Sequence, residues 1–488
     1  MNTLAYTADQ IRAAERPLLE TQSHPDELMQ QAAHAVFDVA GHLAPEGRIL
    51  LLVGKGGNGG DALYAGAELA MSGRDVDAWP VFDAAHPRAL EAFANAGGRV
   101  VERPEGDYRL VVDGVLGIGG SGDLPPEFQA ACRGCTVLAV DVPSGISADT
   151  GERGENHITA NVTVTFGGWR LAHGLAPECG VQLLADIGVG GRSLAAELSR
   201  HDGTSISRAT GPQHEWPAGI SQLGAPRLGS SEPGFYDDKY TGGVVGIRAG
   251  SGAYPGAAIL CVAGAVAATP AMVRYAGPQA LEVVRAHPEV VATDSIDTAG
   301  RVQAWVFGPG AGTDEAARRE LGWVLGQDVP VLIDADGLTL LEHHVDLQTS
   351  LVKRTHPTIV TPHDGEFQRL RDAFGLKESD RCSEALAMAA HLKCTVVRKG
   401  RATIVAEPSG ATEIVDAGNS WAATPGSGDV LAGIMGARVA RDGEAGVGAS
   451  IRVHAMAAKL AADTPWGEAQ TSASEIAKHV RAATAKLS

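Results

Sequence analysis

Cysteine is scarce in this 488-residue chain, with six residues at positions 132, 135, 179, 261, 382 and 394. Only Cys132 and Cys135 stand at C-x-x-C spacing. With no second pair and no histidine nearby, the pattern argues against a zinc site. The thiols read as reduced and buried, which fits the cytoplasm. Positive charge is also lacking: the formal net charge is −18. Long-range repulsion therefore argues against a nucleic-acid or acidic-membrane partner. The first residues, MNTLAYTADQIRAAERP, hold neither a basic stretch nor an apolar one, so no secretory signal is expected. The longest run of small apolar residues, 257–268, is too short to cross a bilayer and reads as a buried helix. No fixed-period repeat is present, which excludes a solenoid.

Glycine is what the chain has in quantity, 62 residues against an aromatic content of 5%. That balance is typical of globular enzymes. Near the start, Thr7-Ala8-Asp9-Gln10 offers a capping box, and a helix follows over 27–39. A continuous apolar strand at 49–53 is of the type buried on both faces. Further strands are expected at 76–82, 109–113, 136–142 and 159–166, alternating with helices. This pattern predicts an α/β, doubly wound parallel sheet. Periodicity fades over 201–234, where Gly, Pro, Ser and Asp dominate, with at most a short extended piece. The boundaries are accordingly 1–208 for a first domain, 209–234 for a linker and 235–488 for a second. Strands of the second domain are expected at 244–247, 304–307, 331–334, 358–361 and 395–398.

Ligands of such sheets bind beyond the carboxyl ends of the strands. In the first domain three polar clusters sit there. Gly57-Asn58-Gly59-Gly60-Asp61 exposes backbone N–H groups at a helix start, a seat for phosphate without the Lys-Ser/Thr ending of a nucleotide-triphosphate loop. Asp113 is followed by Gly117-Ile118-Gly119-Gly120-Ser121-Gly122-Asp123. The third cluster is Asp141-Val142-Pro143-Ser144-Gly145. Oxygens of Asn58, Asp113 and Ser144 could either converge on a hard cation or cap their own turns.

In order, Glu27-Leu28-Met29, GKGGNGGDALYAG, VDGVLGIG and DVPSGI make the first domain resemble the NAD(P)H-hydrate epimerases. Gly57 stands where that family's loop usually has Asn, and Ala62 where it has Gly. The resemblance implies a Rossmann-like fold. It implies substrate contacts from residues 57–61, 117–123 and Asp141, with Asp141 as the acid–base residue. It also implies a potassium ion held by Asn58, Asp113 and Ser144.

The second domain carries its chemistry in glycine-rich turns at strand ends. One stretch, GNSWAATPGSGDVLAG, places Gly426, Gly428 and Asp429 ahead of an apolar helix. Free N–H groups and a positive dipole end there suit a phosphate, and the acid suits a hydroxyl to be deprotonated. Alone, that motif also reads as an ordinary capped turn. With GSGAYPGAA, GPGAG, IDADGL, TPHDGE and RKGRATIV, the domain resembles the ADP-dependent NAD(P)H-hydrate dehydratases, which have a ribokinase-like fold. By that resemblance Lys399, Gly400, Arg401, Ala402, Thr403 and Gly428 contact the nucleotide. Ala257, Gly312, His363 and Asp429 contact the hydrated cofactor.

The expected activity is repair of NADHX and NADPHX. The first domain interconverts their epimers, and the second dehydrates one epimer with ADP and magnesium. Asp429 would take the hydroxyl proton as the oxygen attacks the terminal phosphate. Two readings stand against it: a ribokinase-like small-molecule kinase fused to a dinucleotide-binding domain, and a non-catalytic dinucleotide sensor. A homo-oligomer is compatible with such folds.

Overall fold

The computed structural model describes residues 3–81, 84–120, 123–212, 214–230, 232–269 and 271–488. The chain divides into two compact units, Met1–Ser207 with Gly211–Gly224, and Arg208–Thr210 with Ala225–Ser488.

The first unit is built on a sheet of β1 (Ile49–Val53), β2 (Val76–Pro80), β3 (Arg99–Val100), β4 (Leu110–Gly114), β5 (Thr136–Val140), β6 (Val162–Phe166), β7 (Val181–Ala185) and β8 (Ile220–Gln222). The spatial order is β8-β7-β6-β5-β4-β1-β2-β3. Every pairing is parallel except that of the edge strand β8 with β7. Strand side chains alternate between faces, and both faces of β1 are covered. Ile49, Leu51 and Val53 meet helices α2 (Glu27–Leu43) and α3 (Gly57–Met71), whereas Leu50 and Leu52 join Val111, Val137 and Phe128 on the other side. Each such leucine contributes about 1.5–3 kcal/mol of burial. The register sets Val53 opposite Gly114, and Asp113 opposite Ala139. The loops after β1, β4 and β5 therefore open side by side.

The expected helix at the start is α1 (Ala8–Leu19), with Thr7 and Gln10 forming the capping box. Strand β5 stops at Val140 because Asp141 turns to φ 68°. Strand β2 ends at Pro80, and Phe82 of the expected strand lies outside the described residues. Within the low-periodicity stretch, Ile220–Gln222 pairs as an edge strand, too short to leave an alternating pattern. A separate short strand, Trp169–Arg170, runs parallel to Leu4–Tyr6.

The second unit has β9 (Val245–Arg248), β10 (Val273–Ala276), β11 (Val291–Thr293), β12 (Ala304–Phe307), β13 (Val331–Ile333), β14 (Thr358–Val360), β15 (Thr395–Arg398), β16 (Ala402–Ala406) and β17 (Thr412–Asp416). Their order is β11-β10-β9-β12-β13-β14-β15-β16-β17. Pairings are parallel up to β15 and antiparallel for the last two strands. Helices α4 (Pro255–Ala268), α5 (Asp364–Ala373), α6 (Ser427–Asp442) and α7 (Gly446–Ala462) pack on it. Helices α4 and α6 touch backbone to backbone: a Cβ on Gly433 would lie 1.9 Å from the Cys261 carbonyl oxygen. That close approach sets the spacing of α6 against α4. Among the described residues, no helix is long and apolar enough to cross a membrane.

Candidate active sites

In the first unit a cavity of about 520 Å³ opens beyond β1, β4 and β5. Gly57, Asn58, Asp61, residues 117–120 and Asp141 line it, together with Glu15, Lys55 and Arg170. Asp141 is buried in the left-handed region, where a non-glycine residue is uncommon and needs support. Its Oδ1 accepts from Thr165 Oγ1 at 2.8 Å and pairs with the buried Arg170 guanidinium at 2.9 Å. His173 Nδ1 accepts the Arg170 backbone N–H at 2.9 Å, so the ring carries its proton on Nε2 and donates it to the Asp141 carbonyl at 2.8 Å. Burial pushes His173 down to about 4, consistent with that neutral ring. Burial, with the neighbouring Asp141 and Glu15 charges, holds Asp61 well above the usual carboxylate range. Burial raises Glu15 as well, against the pull of Arg170. The cavity thus sets a carboxyl of raised proton affinity and an ion-paired carboxylate around one space, an arrangement suited to acid–base work.

Asn58, Asp113 and Ser144 join in one network behind this wall. Ser144 donates its backbone N–H to Asp113 Oδ2 at 2.8 Å and its hydroxyl to Oδ1 at 2.6 Å. The Asn58 amide donates to the Val140 carbonyl at 2.7 Å and the Leu116 carbonyl at 3.2 Å. Ser144 Oγ accepts from Leu116 N at 2.8 Å. Burial lifts Asp113 to about 6. Gly59 and Gly60 serve packing: a Cβ on Gly59 would lie 1.9 Å from the Gly54 carbonyl oxygen, and one on Gly60 2.4 Å from Met29 Sδ. Asp123 is exposed and accepts from Asn156 N at 3.2 Å, away from the cavity lining. Ser121 and Gly122 lie outside the described residues. Sequence reasoning missed Glu15, Arg170 and His173. The one available signal was charge in the otherwise apolar Trp169-Arg170-Leu171-Ala172 run.

In the second unit Asp429 is the third residue of α6, after Gly426 at φ 81°. Lys399, just past β15, donates to Asp334 Oδ1 at 2.6 Å and lies 3.9 Å from Glu366 Oε2. A Cβ on Gly428 would sit 3.7 Å from Lys399 Nζ, so the ammonium reaches the start of α6. Burial, then the Asp334 charge, lifts Asp429 to about 7, with Lys399 pulling the other way. Asp336 accepts from Gly312 N at 2.8 Å. Ala257 packs near the Gly310 turn, where an added Cβ would meet its methyl at 2.8 Å. His363 caps α5: its Nδ1 accepts from Gly365 N at 3.0 Å and Glu366 N at 3.3 Å, leaving most of the ring exposed.

The turn between β15 and β16 holds the remaining expected nucleotide contacts. Thr403 Oγ1 donates to the Gly400 carbonyl at 2.9 Å, and Ala402 is buried. Arg401 Nε lies 3.5 Å from Asp416 Oδ1. Behind the glycine loop, Ser427 Oγ meets His454 Nε2 at 2.9 Å with both residues buried. Burial pushes His454 down to about 4. His454, on the distant helix α7, had no spacing that could tie it to this loop.

The family model described as NAD(P)H-hydrate dehydratase matches residues 245–481, and the one described as YjeF-related protein N-terminus matches residues 25–172. The bifunctional NAD(P)H-hydrate repair enzyme Nnr of Corynebacterium glutamicum is 42% identical over 99% of this chain and 98% of its own length. Its counterpart in Mycobacterium tuberculosis is 45% identical over 99% of both chains. The NAD(P)H-hydrate epimerase of Microbacterium testaceum is 43% identical over 38% of this chain and 78% of its own.

Proposed function

The chain belongs to the family of bifunctional NAD(P)H-hydrate repair enzymes, an epimerase joined to a dehydratase, and from that premise we propose how its residues divide the work. In the second unit Asp429 is the base that removes the proton from the substrate hydroxyl. The observation that carries this is its carboxyl, lifted to about 7 at the glycine-rich start of α6. A base poised near neutrality combines a usable ionised fraction with a usable proton affinity. The N–H groups at the start of α6 face the transferred phosphate and stabilise the charge that develops there. Lys399, Gly400, Arg401, Ala402, Thr403 and Gly428 hold ADP, and Ala257, Gly312, His363 and Asp429 hold the hydrated cofactor. Phosphorylation turns a poor leaving group into a good one; it departs with its bonding electrons, assisted by the ring nitrogen lone pair, and loss of a ring proton restores NADH or NADPH with AMP and phosphate as co-products.

Magnesium would travel on the nucleotide phosphates. Lys399 already engages Asp334, and no group of three acidic, His or Cys side chains suited to a metal is found among the described residues.

In the first unit Asp141 acts as the acid–base residue on the carbon that is inverted, with Arg170 setting its orientation. The substrate contacts are the cavity wall of Gly57, Asn58, Asp61 and residues 117–120, with Gly59 and Gly60 shaping the loop. Asn58, Asp113 and Ser144 would hold potassium. An all-oxygen donor set supports this, as does a buried Asp113 that has hydrogen-bond donors and no cationic side chain beside it among the described residues. The ion would supply positive charge beside the loops. The free state of all six cysteines supports a cytoplasmic setting.

The test mixes both hydrate epimers with ADP and follows recovery of reduced-nicotinamide absorbance and release of AMP and phosphate. Recovery from both epimers is the expected result. Phosphorylation of a carbohydrate or vitamin with no recovery of NADH would overturn the reading in favour of a kinase.

A further inference from the structure

The far end of α6 frames a second cavity, of about 860 Å³, that the repair chemistry does not use. Arg438 and Arg441 of α6 and Arg452 of α7 line it, with Arg227 and Lys239. Arg438 is 3% exposed, has no carboxylate within ion-pairing distance among the described residues, and donates only from Nη2 to Thr484 Oγ1 at 3.1 Å. Its Nε and that of Arg452 are buried without a hydrogen-bond partner among the described residues. Burial and the facing Arg441 and Arg452 charges push Arg438 down to about 10, with Asp442 opposing.

Three of the four acids on the wall are otherwise occupied. Asp442 is chelated by Arg441 at 2.8 and 2.7 Å, Asp237 accepts from Gly234 N at 2.7 Å, and Asp238 accepts from Tyr240 N at 2.8 Å. Glu232 is the fourth. The first turn of α7 opens at the same place without a side-chain cap. A buried guanidinium with an empty donor and no carboxylate of its own, beside two that are ion-paired (Arg441 with Asp442, Arg452 with Glu413), calls for an anion with several acceptor oxygens.

We propose that this cavity is a second anion site that binds a phosphate-bearing small molecule. Arg438 lies nine residues along α6 from Asp429, roughly 14 Å by helical rise, so the site is distinct from the catalytic loop. The proposal stands whether or not Asp429 is the catalytic base.

Calorimetric titration of the full chain with inorganic pyrophosphate tests it, alongside a Lys399→Met variant that removes the ammonium at the catalytic loop. Saturable binding is expected to persist in Lys399→Met. It should weaken at least tenfold in Arg438→Gln and in Arg441→Gln, the latter a partly exposed position that keeps the test alive if Arg438→Gln does not fold. A parallel titration with AMP separates the two sources of phosphate: tighter binding than pyrophosphate marks a nucleotide, and weaker binding marks a bare phosphate group. Undiminished pyrophosphate binding in a folded Arg441→Gln protein overturns the proposal. So does loss of all binding in Lys399→Met.

Discussion

Asparagine in place of Asp429 keeps the side chain's shape and removes both its charge and its basicity. The folded protein carries this carboxyl at about 7, against an ordinary value of 3.8, chiefly through burial and the nearby Asp334. The difference corresponds to an upper bound of about 4 kcal/mol disfavouring the ionised form. Because the folded value is raised, the penalty is absent below pH 3.8, grows between 3.8 and about 7, and is constant above that. The variant should therefore be more stable than the parent, with a gap that widens from pH 4 to 7 and then levels. Chemical denaturation at pH 4, 6 and 8 reads that gap. Dehydration should fall by roughly two to four orders of magnitude, the worth of a positioned general base. The parent's rate should decline below pH 7, and the residual rate of the variant should lose that limb. Binding of the hydrate should largely survive. A variant that dehydrates at the parental rate, or that gains no stability at pH 8, would refute the placement of a strained, functional carboxyl at the start of α6.

In the first unit, Arg170→Gln leaves the buried Asp141 without its cation. It should abolish epimerisation and cost roughly 3–5 kcal/mol in that unit, while dehydration of the accepted epimer continues. Loss of both activities in a folded protein would contradict the division of labour. Ser144→Ala removes a hydrogen bond to Asp113 and the acceptor for Leu116 N. Potassium titration of epimerase activity should show at least a tenfold higher half-saturating concentration, and an unchanged titration would remove Ser144 from the cation site. Gly57→Asn meets open space and should change stability by less than about 1 kcal/mol. Gly59→Ala, by contrast, drives a methyl into the Gly54 carbonyl and should lower the melting temperature sharply. Equal melting temperatures for the two variants would refute the packing argument.

The alternation of apolar strands and helices made both parallel sheets legible, because a strand buried on two faces leaves a continuous apolar run such as Ile49–Val53. The glycine-rich turns were equally legible, since close backbone approach is written in residue type. Edge elements were not. Ile220–Gln222 buries too little to print a pattern, and Trp169–Arg170 is only two residues long.

Composition, charge and motif order by themselves determined an α/β protein of two parts, its glycine-rich turns at strand ends, and the two acids proposed to carry its chemistry. Only the tertiary structure decided what those acids experience. The Arg170–Asp141 pair joins positions brought together by the return of the chain after β6. The value of about 7 on Asp429 arises from burial and from Asp334, ninety-five positions away in sequence. The buried Arg438 with its unfilled donor exists because α6 and α7 converge on one cavity. Spacing along a chain records which residues are neighbours on one element. Desolvation and through-space charge depend on which elements pack together, and that is set only when the sheets are assembled.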